Sequence, residues 1–154
     1  MSSRARFRTL LQDAGRVHID ARVLALHVAA SARHVDLTRQ LFAGLRAGEF
    51  NAQTSSMSIF QIVVEPFRRG DEETAGQAER WLSALPGLEV LPVTAAVARQ
   101  AAQVKAQLGG RTERAVQLAT ALEGGARLFL TDRSSIRRIA GMQLEALEAF
   151  LPRA

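Results

Sequence analysis

The chain of 154 residues has no cysteine and no tyrosine, and it has only one tryptophan. Without cysteine it can form no disulfide bond, bind no metal through thiolates and use no thiol as a nucleophile. No apolar run reaches the roughly 18 residues of a membrane-spanning helix, so the sequence predicts no membrane segment. The N-terminus lacks the apolar stretch of a secretory signal, and we therefore expect a cytoplasmic protein.

Positive charge comes almost wholly from arginine, because Lys105 is the only lysine among 20 basic residues. The net charge of +5 is moderate and permits contact with phosphate, but arginine used in place of lysine on an ordinary surface is the simpler explanation of this composition. Apolar residues make up 47% of the chain, which is enough for one packed domain and excludes global disorder.

Short apolar runs alternate with longer helical patterns along the chain. The predicted strands are 17–19, 50–54, 88–91, 127–131 and an edge strand at 142–144. The predicted helices are 22–32, 36–45, 72–85, 94–108 and 112–123, with helical turns at 134–138 and 147–151. The segment 59–64 is ambiguous between helix and strand. This alternation predicts an α/β fold of three layers, α/β/α, around a short central parallel sheet of four to five strands.

The first residues stand apart from this alternation. We expect residues 1–15 to precede a domain that spans 16–154. The stretch from Arg4 to Leu11 mixes arginines with Phe7 and Leu10, which fits a packed helix, a basic arm that touches phosphate, or a flexible tail.

Two aspartates fall at the carboxyl ends of predicted strands, where parallel sheets bind their ligands. Asp20 follows the first strand and Asp132 follows the fourth. The sequence has no phosphate-binding glycine loop and no Gly-x-Ser-x-Gly elbow, and its three histidines lack the spacing of a zinc site. The two aspartates are therefore the strongest candidates for chemistry.

Five segments in one order carry a resemblance to a known family. They are 17–24 (VHIDARVL), 58–66 (SIFQIVVEP), 88–94, 117–122 and 129–132 (FLTD). Together they resemble the PIN-domain nucleases, which include the toxin ribonucleases of bacterial toxin–antitoxin pairs, and the resemblance covers about residues 16–151.

The resemblance implies a metal-dependent reaction on RNA. Members of the family bind Mg²⁺ or Mn²⁺ between acidic side chains and cleave RNA with a metal-activated water. Hard cations prefer carboxylate oxygen, and a bound cation lowers the pKa of its water. The resemblance also implies RNA as a ligand, an antitoxin or other protein as a partner, and pairing into a homodimer.

The family acids are largely replaced in this chain. Asp20 matches the first of them, but Gln61 stands in place of the second and Arg114 in place of the third. In the last motif the family asparagine falls on Asp132 and its aspartate on Arg133, and Arg22 replaces another family asparagine. Because a guanidinium has no lone pair to offer a metal, the pattern indicates loss of the metal site.

We therefore hypothesise a degenerate, non-catalytic PIN domain with a pseudo-active site. Its residues are Arg22, Gln61, Arg114, Gln117 and Arg133. Arg114 and Arg133 are expected to pair with Asp20 and Asp132 and to supply the charge of the missing ion. No metal or cofactor is expected, and Asp20 is the best ligand if one binds. The site would hold an RNA phosphate or the carboxylate of a protein partner.

Two alternatives stay open. In the first, Glu65 or Glu113 joins Asp20 and Asp132 as catalytic acids, and the protein is an active Mg²⁺- or Mn²⁺-dependent endoribonuclease toxin. In the second, the protein is a structural or assembly protein, and the apolar residues of 36–45 with Phe150 and Leu151 form a dimer face.

Overall fold

Helices alternate with strands over residues 1–153, the part of the chain that this computed structural model describes. The elements are α1 (Ser3–Ala14), β1 (Arg16–Ile19), α2 (Ala21–Val28), α3 (Val35–Arg46), β2 (Asn51–Ser55), α4 (Met57–Arg68), α5 (Glu72–Ala84), β3 (Leu88–Leu91), α6 (Ala95–Leu108), α7 (Thr112–Glu123), β4 (Leu128–Thr131), β5 (Arg138–Ile139), β6 (Met142–Ala146) and a 3₁₀ turn (Leu147–Phe150). Within this range no helix is long and apolar enough to cross a membrane.

The strands form one sheet in the order β3-β2-β1-β4-β6-β5. All neighbours are parallel except β5, which runs antiparallel to β6. Two apolar clusters flank the sheet: one includes residues of α1, α2 and α3, and the other includes residues of α6 and α7. The predicted three-layer α/β/α architecture is therefore confirmed.

The sheet has six strands, and the expectation of four to five was too low. Residues 134–138 were expected to form a helical turn, but the Ser134 side chain bonds both the carbonyl and the N–H of Ile136, and the chain then extends into β5. The last predicted strand consequently lies inside the sheet as β6, and β5 takes the edge. The predicted helix 22–32 was too long, since α2 ends at Val28.

The ambiguous segment 59–64 lies within helix α4. The side chains of Ile59, Ile62 and Val63 share one side of that helix and pack against alanines of α5. Such spacing of three and four residues buries one helical face, and this packing outweighs the strand preference of β-branched side chains.

The N-terminal segment is a helix that packs on the rest of the chain. Phe7 and Leu11 of α1 are buried, and the Phe7 ring lies 5.1 Å from the ring of Phe150. The apolar residues of α3 are buried in the same cluster. The dimer face expected on 36–45 with Phe150 and Leu151 is therefore wrong, because those side chains belong to the core of the chain itself.

The carboxyl ends of β1 and β4 lie side by side at the centre of the sheet. The N–H of Asp20 bonds the carbonyl of Leu130 at 3.0 Å, so the pairing of the two strands continues to the point where α2 begins. Asp20 and Asp132 thus lie close together, and the Thr131 hydroxyl is within hydrogen-bond distance of both carboxylates.

Gly124, directly after α7, tests how closely the end of that helix packs against β2 and β3. A Cβ atom there would lie 2.4 Å from Gln53 Oε1 and 2.5 Å from Leu91 Cδ1, and Gln53 is fully buried. We expect Gly124→Ala to lower the free energy of unfolding by about 2 kcal/mol, measured by urea denaturation. Gly76→Ala is the control. It lies in α5, where an added Cβ meets the exposed side chain of Arg80, and it should leave stability equal or raise it by up to about 1 kcal/mol. Equal losses in the two variants would contradict this account.

Candidate functional site

A cavity of about 710 Å³ opens at the carboxyl ends of β1 and β4. Helices α2, α4 and α7 and the segment after β4 form its wall. The lining residues are Asp20, Arg22, Phe60, Gln61, Val64, Glu65, Arg68, Arg111, Glu113, Arg114, Asp132 and Arg133. The cavity therefore brings together every residue predicted for the site except Gln117, which lies behind the wall and contacts Gln61.

Asp20 lies at the buried end of the cavity. Its Oδ2 accepts a hydrogen bond from the Thr131 hydroxyl at 2.7 Å, and Nη2 of Arg114 lies 3.8 Å from the same oxygen. Burial raises the pKa of Asp20, although the hydrogen bond from Thr131 and the charge of Arg114 partly oppose that rise. Arg114 also donates to Thr131 Oγ1 at 3.1 Å, so the hydroxyl connects the two charged groups.

Asp132 is held by donors on both oxygens. Nε of Arg22 donates to Oδ2 at 3.0 Å, and the backbone N–H of Arg133 donates to Oδ1 at 2.8 Å. Partial burial opposes ionisation, but these hydrogen bonds outweigh it and lower the pKa of Asp132. The guanidinium that pairs with Asp132 is thus that of Arg22, whereas the sequence hypothesis assigned this role to Arg133.

The two glutamates of the cavity are also paired with arginine. Glu65 lies beside Arg68 of its own helix, and Glu113 lies 3.6 Å from Arg111. Each of the four acids that line the cavity therefore has an arginine partner. Arg133 is the fifth arginine of the cavity, and its side chain forms no ion pair within residues 1–153, which leaves the lining with one excess positive charge.

A chain of polar side chains, buried at its centre, runs from the cavity wall across the core. Gln61 contacts Gln117, which contacts His18, and His18 contacts Gln53. Arg16 ends the chain: its Nε donates to Gln53 at 2.7 Å and its Nη2 lies 3.2 Å from Glu89. We call the five residues Arg16, Gln53, His18, Gln117 and Gln61 the polar relay.

His18 is uncharged in the middle of the relay. It is fully buried, and its ring stacks on Phe129 with centroids 5.1 Å apart. Burial lowers the pKa of His18 to about 4; the hydrogen bond with Gln117 partly opposes this shift and the charge of Arg16 adds to it.

Sequence reasoning missed several residues of the site. Thr131 was placed in a strand and given no role, although its hydroxyl bonds Asp20. Arg111 precedes Arg114 by three residues and Arg68 follows Gln61 by seven, so both lie on the helical faces of predicted site residues. That spacing is a signal from which both arginines could have been predicted. Gln53 lies in a strand, and no local pattern marks it as a partner of His18.

Comparison with known proteins decides the family. The family model described as PIN domain matches residues 3–142. The chain belongs to the PIN-domain family. No curated protein matches it.

Several solved structures share the fold of this PIN domain. VapBC from Salmonella typhimurium, solved bound to DNA, superposes with a TM-score of 0.67 at 17% identity and covers 86% of this chain and 98% of its own. VapBC2 from Rickettsia felis, bound to a DNA fragment from the promoter, gives 0.63 at 12% identity, with 85% and 98% covered. VapC20 from Mycobacterium tuberculosis, described as a toxin that cleaves the sarcin–ricin loop, gives 0.60 at 16% identity, with 73% and 86% covered.

In this structure the acids of the PIN-domain cavity are not arranged around one point where a divalent cation could bind. Hard cations need several carboxylate oxygens that converge on one point. Here Thr131 bonds one oxygen of Asp20, donors hold both oxygens of Asp132, and the glutamates are turned to their arginines. Over residues 1–153 no three acidic or histidine side chains come close enough to hold a metal ion.

The buried imidazole of this PIN domain predicts a pH dependence of stability. The pKa of His18 is about 4 in the folded state, against an ordinary value of 6.5, so the unfolded chain takes up the proton first as the pH falls. The contribution of neutral His18 to the free energy of unfolding is fully present above pH 6.5. It falls by about 3 kcal/mol as the pH drops from 6.5 to 4.

The measurement compares wild type with His18→Asn by urea denaturation at several pH values. All other titrating groups are common to both proteins, so the difference in unfolding free energy isolates His18. We expect this difference to shrink as the pH falls through that interval, and a difference that stays constant would contradict the assignment.

Proposed function

We propose that this PIN domain is a non-catalytic module that binds RNA by its phosphate groups in the arginine-lined cavity. The observation that carries the proposal is the pairing of all four cavity acids with arginine. This pairing engages the carboxylates that a metal-dependent nuclease would need as ligands, and it leaves a lining with one excess positive charge.

The arginines at the mouth are available to a ligand. The side chains of Arg68 and Arg111 are 70% and 85% exposed, and their ion pairs are therefore worth only about 0–1 kcal/mol. A phosphate can replace a carboxylate as partner at little cost, because a guanidinium forms paired, charge-assisted hydrogen bonds with either group. Arg133 adds a guanidinium that forms no ion pair with any acid of residues 1–153, so a phosphate need not displace a partner there.

The inner part of the cavity favours binding without cleavage. Arg114 lies where it balances the charge of Asp20, and it cannot activate a water molecule, since it keeps its proton at ordinary pH. We expect no metal to bind in this cavity, and that expectation stays a prediction. An active Mg²⁺- or Mn²⁺-dependent ribonuclease is the alternative that the experiments below separate from this proposal.

RNA binding is tested with a fluorescent single-stranded oligoribonucleotide at low salt. We expect binding that survives EDTA, produces no cleavage and weakens as salt rises. Arg133→Gln should weaken binding several-fold and lower the slope of log affinity against log salt by about 0.7, the value for one phosphate contact on a single strand. Arg39→Gln, the same change at an exposed position of α3 outside the cavity lining, should have little effect.

Three results would contradict the proposal. The first is cleavage that EDTA abolishes, which would indicate an active nuclease. The second is absence of binding even at low salt, which would leave only a role with a protein partner. The third is an equal loss of affinity in the two arginine variants, which would place the RNA outside the cavity.

Metal binding is tested by calorimetric titration with Mn²⁺. We expect no binding by the wild type, and measurable binding by the double variant Arg114→Asp/Arg133→Asp, because it places two carboxylates beside Asp20 and Asp132. The control Arg114→Asn/Arg133→Asn removes the same charges without adding carboxylates and should bind Mn²⁺ more weakly. Binding by the wild type that Asp20→Ala abolishes would refute the degenerate site.

We also propose a protein partner for the exposed aromatic side chains of α4 at the cavity mouth and beyond it. Phe60 and Phe67 lie seven residues apart on that helix and are 54% and 56% exposed. Side chains two turns apart share one face, and large exposed apolar groups mark contact surfaces. The partner we propose is an antitoxin-like protein, because a similar solved structure, from Klebsiella pneumoniae, is a toxin–antitoxin complex; a second copy of this chain is the alternative.

A further inference from the structure

The direction of every hydrogen bond in the polar relay follows from groups beside Gln53 whose roles are fixed: a guanidinium that can only donate and carbonyl groups that can only accept. Arg16 can only donate, and its Nε lies 2.7 Å from the amide oxygen of Gln53. The carbonyl groups of Thr120 and Ala121 can only accept, and they lie 3.3 and 3.4 Å from Nε2 of Gln53. The reverse orientation of the Gln53 amide would set donor against donor and acceptor against acceptor, so this amide has one allowed orientation.

Gln53 then determines the tautomer of His18. Its Nε2 lies 3.2 Å from His18 Nδ1, which must accept because the neighbouring amide nitrogen donates. The single proton of the neutral ring is therefore on Nε2, and it is donated to Gln117 Oε1 at 2.8 Å.

The same direction continues to the cavity wall. Because Oε1 of Gln117 accepts, its Nε2 donates, with one hydrogen to Ser58 Oγ and one to Gln61 Oε1, both at 2.9 Å. Oε1 of Gln61 is thereby engaged, so Nε2 is the polar atom of this cavity-lining amide that remains for another partner.

We infer that the polar relay fixes Gln61 with its N–H donor toward the cavity, which makes Gln61 a binding residue for a phosphate oxygen of RNA. The inference rests on the proposed function and assigns this residue a role in it. A carboxylate at this position would offer an acceptor to a cation, whereas the amide offers a donor to an anion. Gln117 and His18 act through Gln61 and are positioning residues.

The relay is well suited to hold this orientation. His18, Gln53 and Gln117 are all fully buried, so no water competes for their hydrogen bonds. If any amide of the relay were reversed, a donor would face a donor or an acceptor would face an acceptor. The hydrogen bond would then be lost in the core, where an unpaired polar group is costly. The orientation of a half-exposed amide on the cavity wall is consequently set by Arg16 at the other end of the relay.

The first test is the tautomer of His18 in the whole protein, read from a long-range ¹H–¹⁵N correlation spectrum. We expect the pattern of a neutral ring protonated on Nε2, with and without RNA. A ring protonated on Nδ1 would reverse the relay and overturn the inference, whatever the result of the RNA experiments.

The second test measures affinity for the same single-stranded oligoribonucleotide in a double-mutant cycle. Gln61→Met removes the donor at equal length and should weaken binding about tenfold, the loss expected for a hydrogen bond to a charged group. Gln117→Met frees the Gln61 amide to rotate and should weaken binding less. In the Gln61→Met background the Gln117→Met change should have no further effect, because Gln117 acts only through Gln61.

Gln77→Met, at an exposed position of α5, is the matched control and should bind like the wild type. If the wild type binds RNA and Gln61→Met binds equally well, the inference fails and the proposed function stands. Additive losses in the cycle would also overturn it, since they would indicate general damage to the fold. If the wild type binds no RNA, the proposed function fails and the ligand assigned to Gln61 fails with it, a result distinct from a reversed tautomer.

Discussion

The neutralisation of Asp20 by Arg114 is the constraint on which the candidate site depends. A carboxylate at the buried end of a cavity is costly unless a cation or hydrogen-bond donors accompany it. In a metal-dependent nuclease the cation is exchangeable and reactive. Here the cation is a side chain of α7 that lies 3.8 Å away, shares the hydroxyl of Thr131 and cannot leave. The proposed binding function without cleavage depends on this pairing.

The same arrangement shifts the pKa values of the two aspartates in opposite directions. Burial raises the pKa of Asp20, while hydrogen bonds from Arg22 and the backbone of Arg133 lower the pKa of Asp132. Two neighbouring carboxyl groups, one with a raised pKa and one with a lowered pKa, are common in active sites, where one donates and the other accepts a proton. In this cavity each group has a fixed partner instead, so the asymmetry reflects depth in the cavity and does not by itself indicate catalysis.

The architecture of this chain was predictable because its signals are local and periodic. Apolar runs that alternate with amphipathic helices indicated the layers, and the positions of Asp20 and Asp132 after neighbouring strands indicated where the cavity opens. Strand β5 was not predictable in the same way, since two residues show no periodicity and their pairing depends on contact with β6. The bonding of His18 to Gln53 and Gln117 is equally non-local, as the partners lie 35 and 99 residues away. At the cavity Arg114 pairs with Asp20 as predicted, but Arg22 and not Arg133 pairs with Asp132, because rotamers decide which arginine reaches that carboxylate.

The structure of the two edge strands limits how the protein can associate with other molecules. Strand β5 is only two residues long, and Arg138 within it donates to the carbonyl of Gly141. At the opposite edge β3 is four residues long and is bounded by Pro86 and Pro92, which have no N–H to offer. Short, charged or proline-bounded edges give an incoming strand little backbone to pair with. Association by extension of the sheet is therefore disfavoured, and recognition is left to side chains on the helices and at the mouth between them.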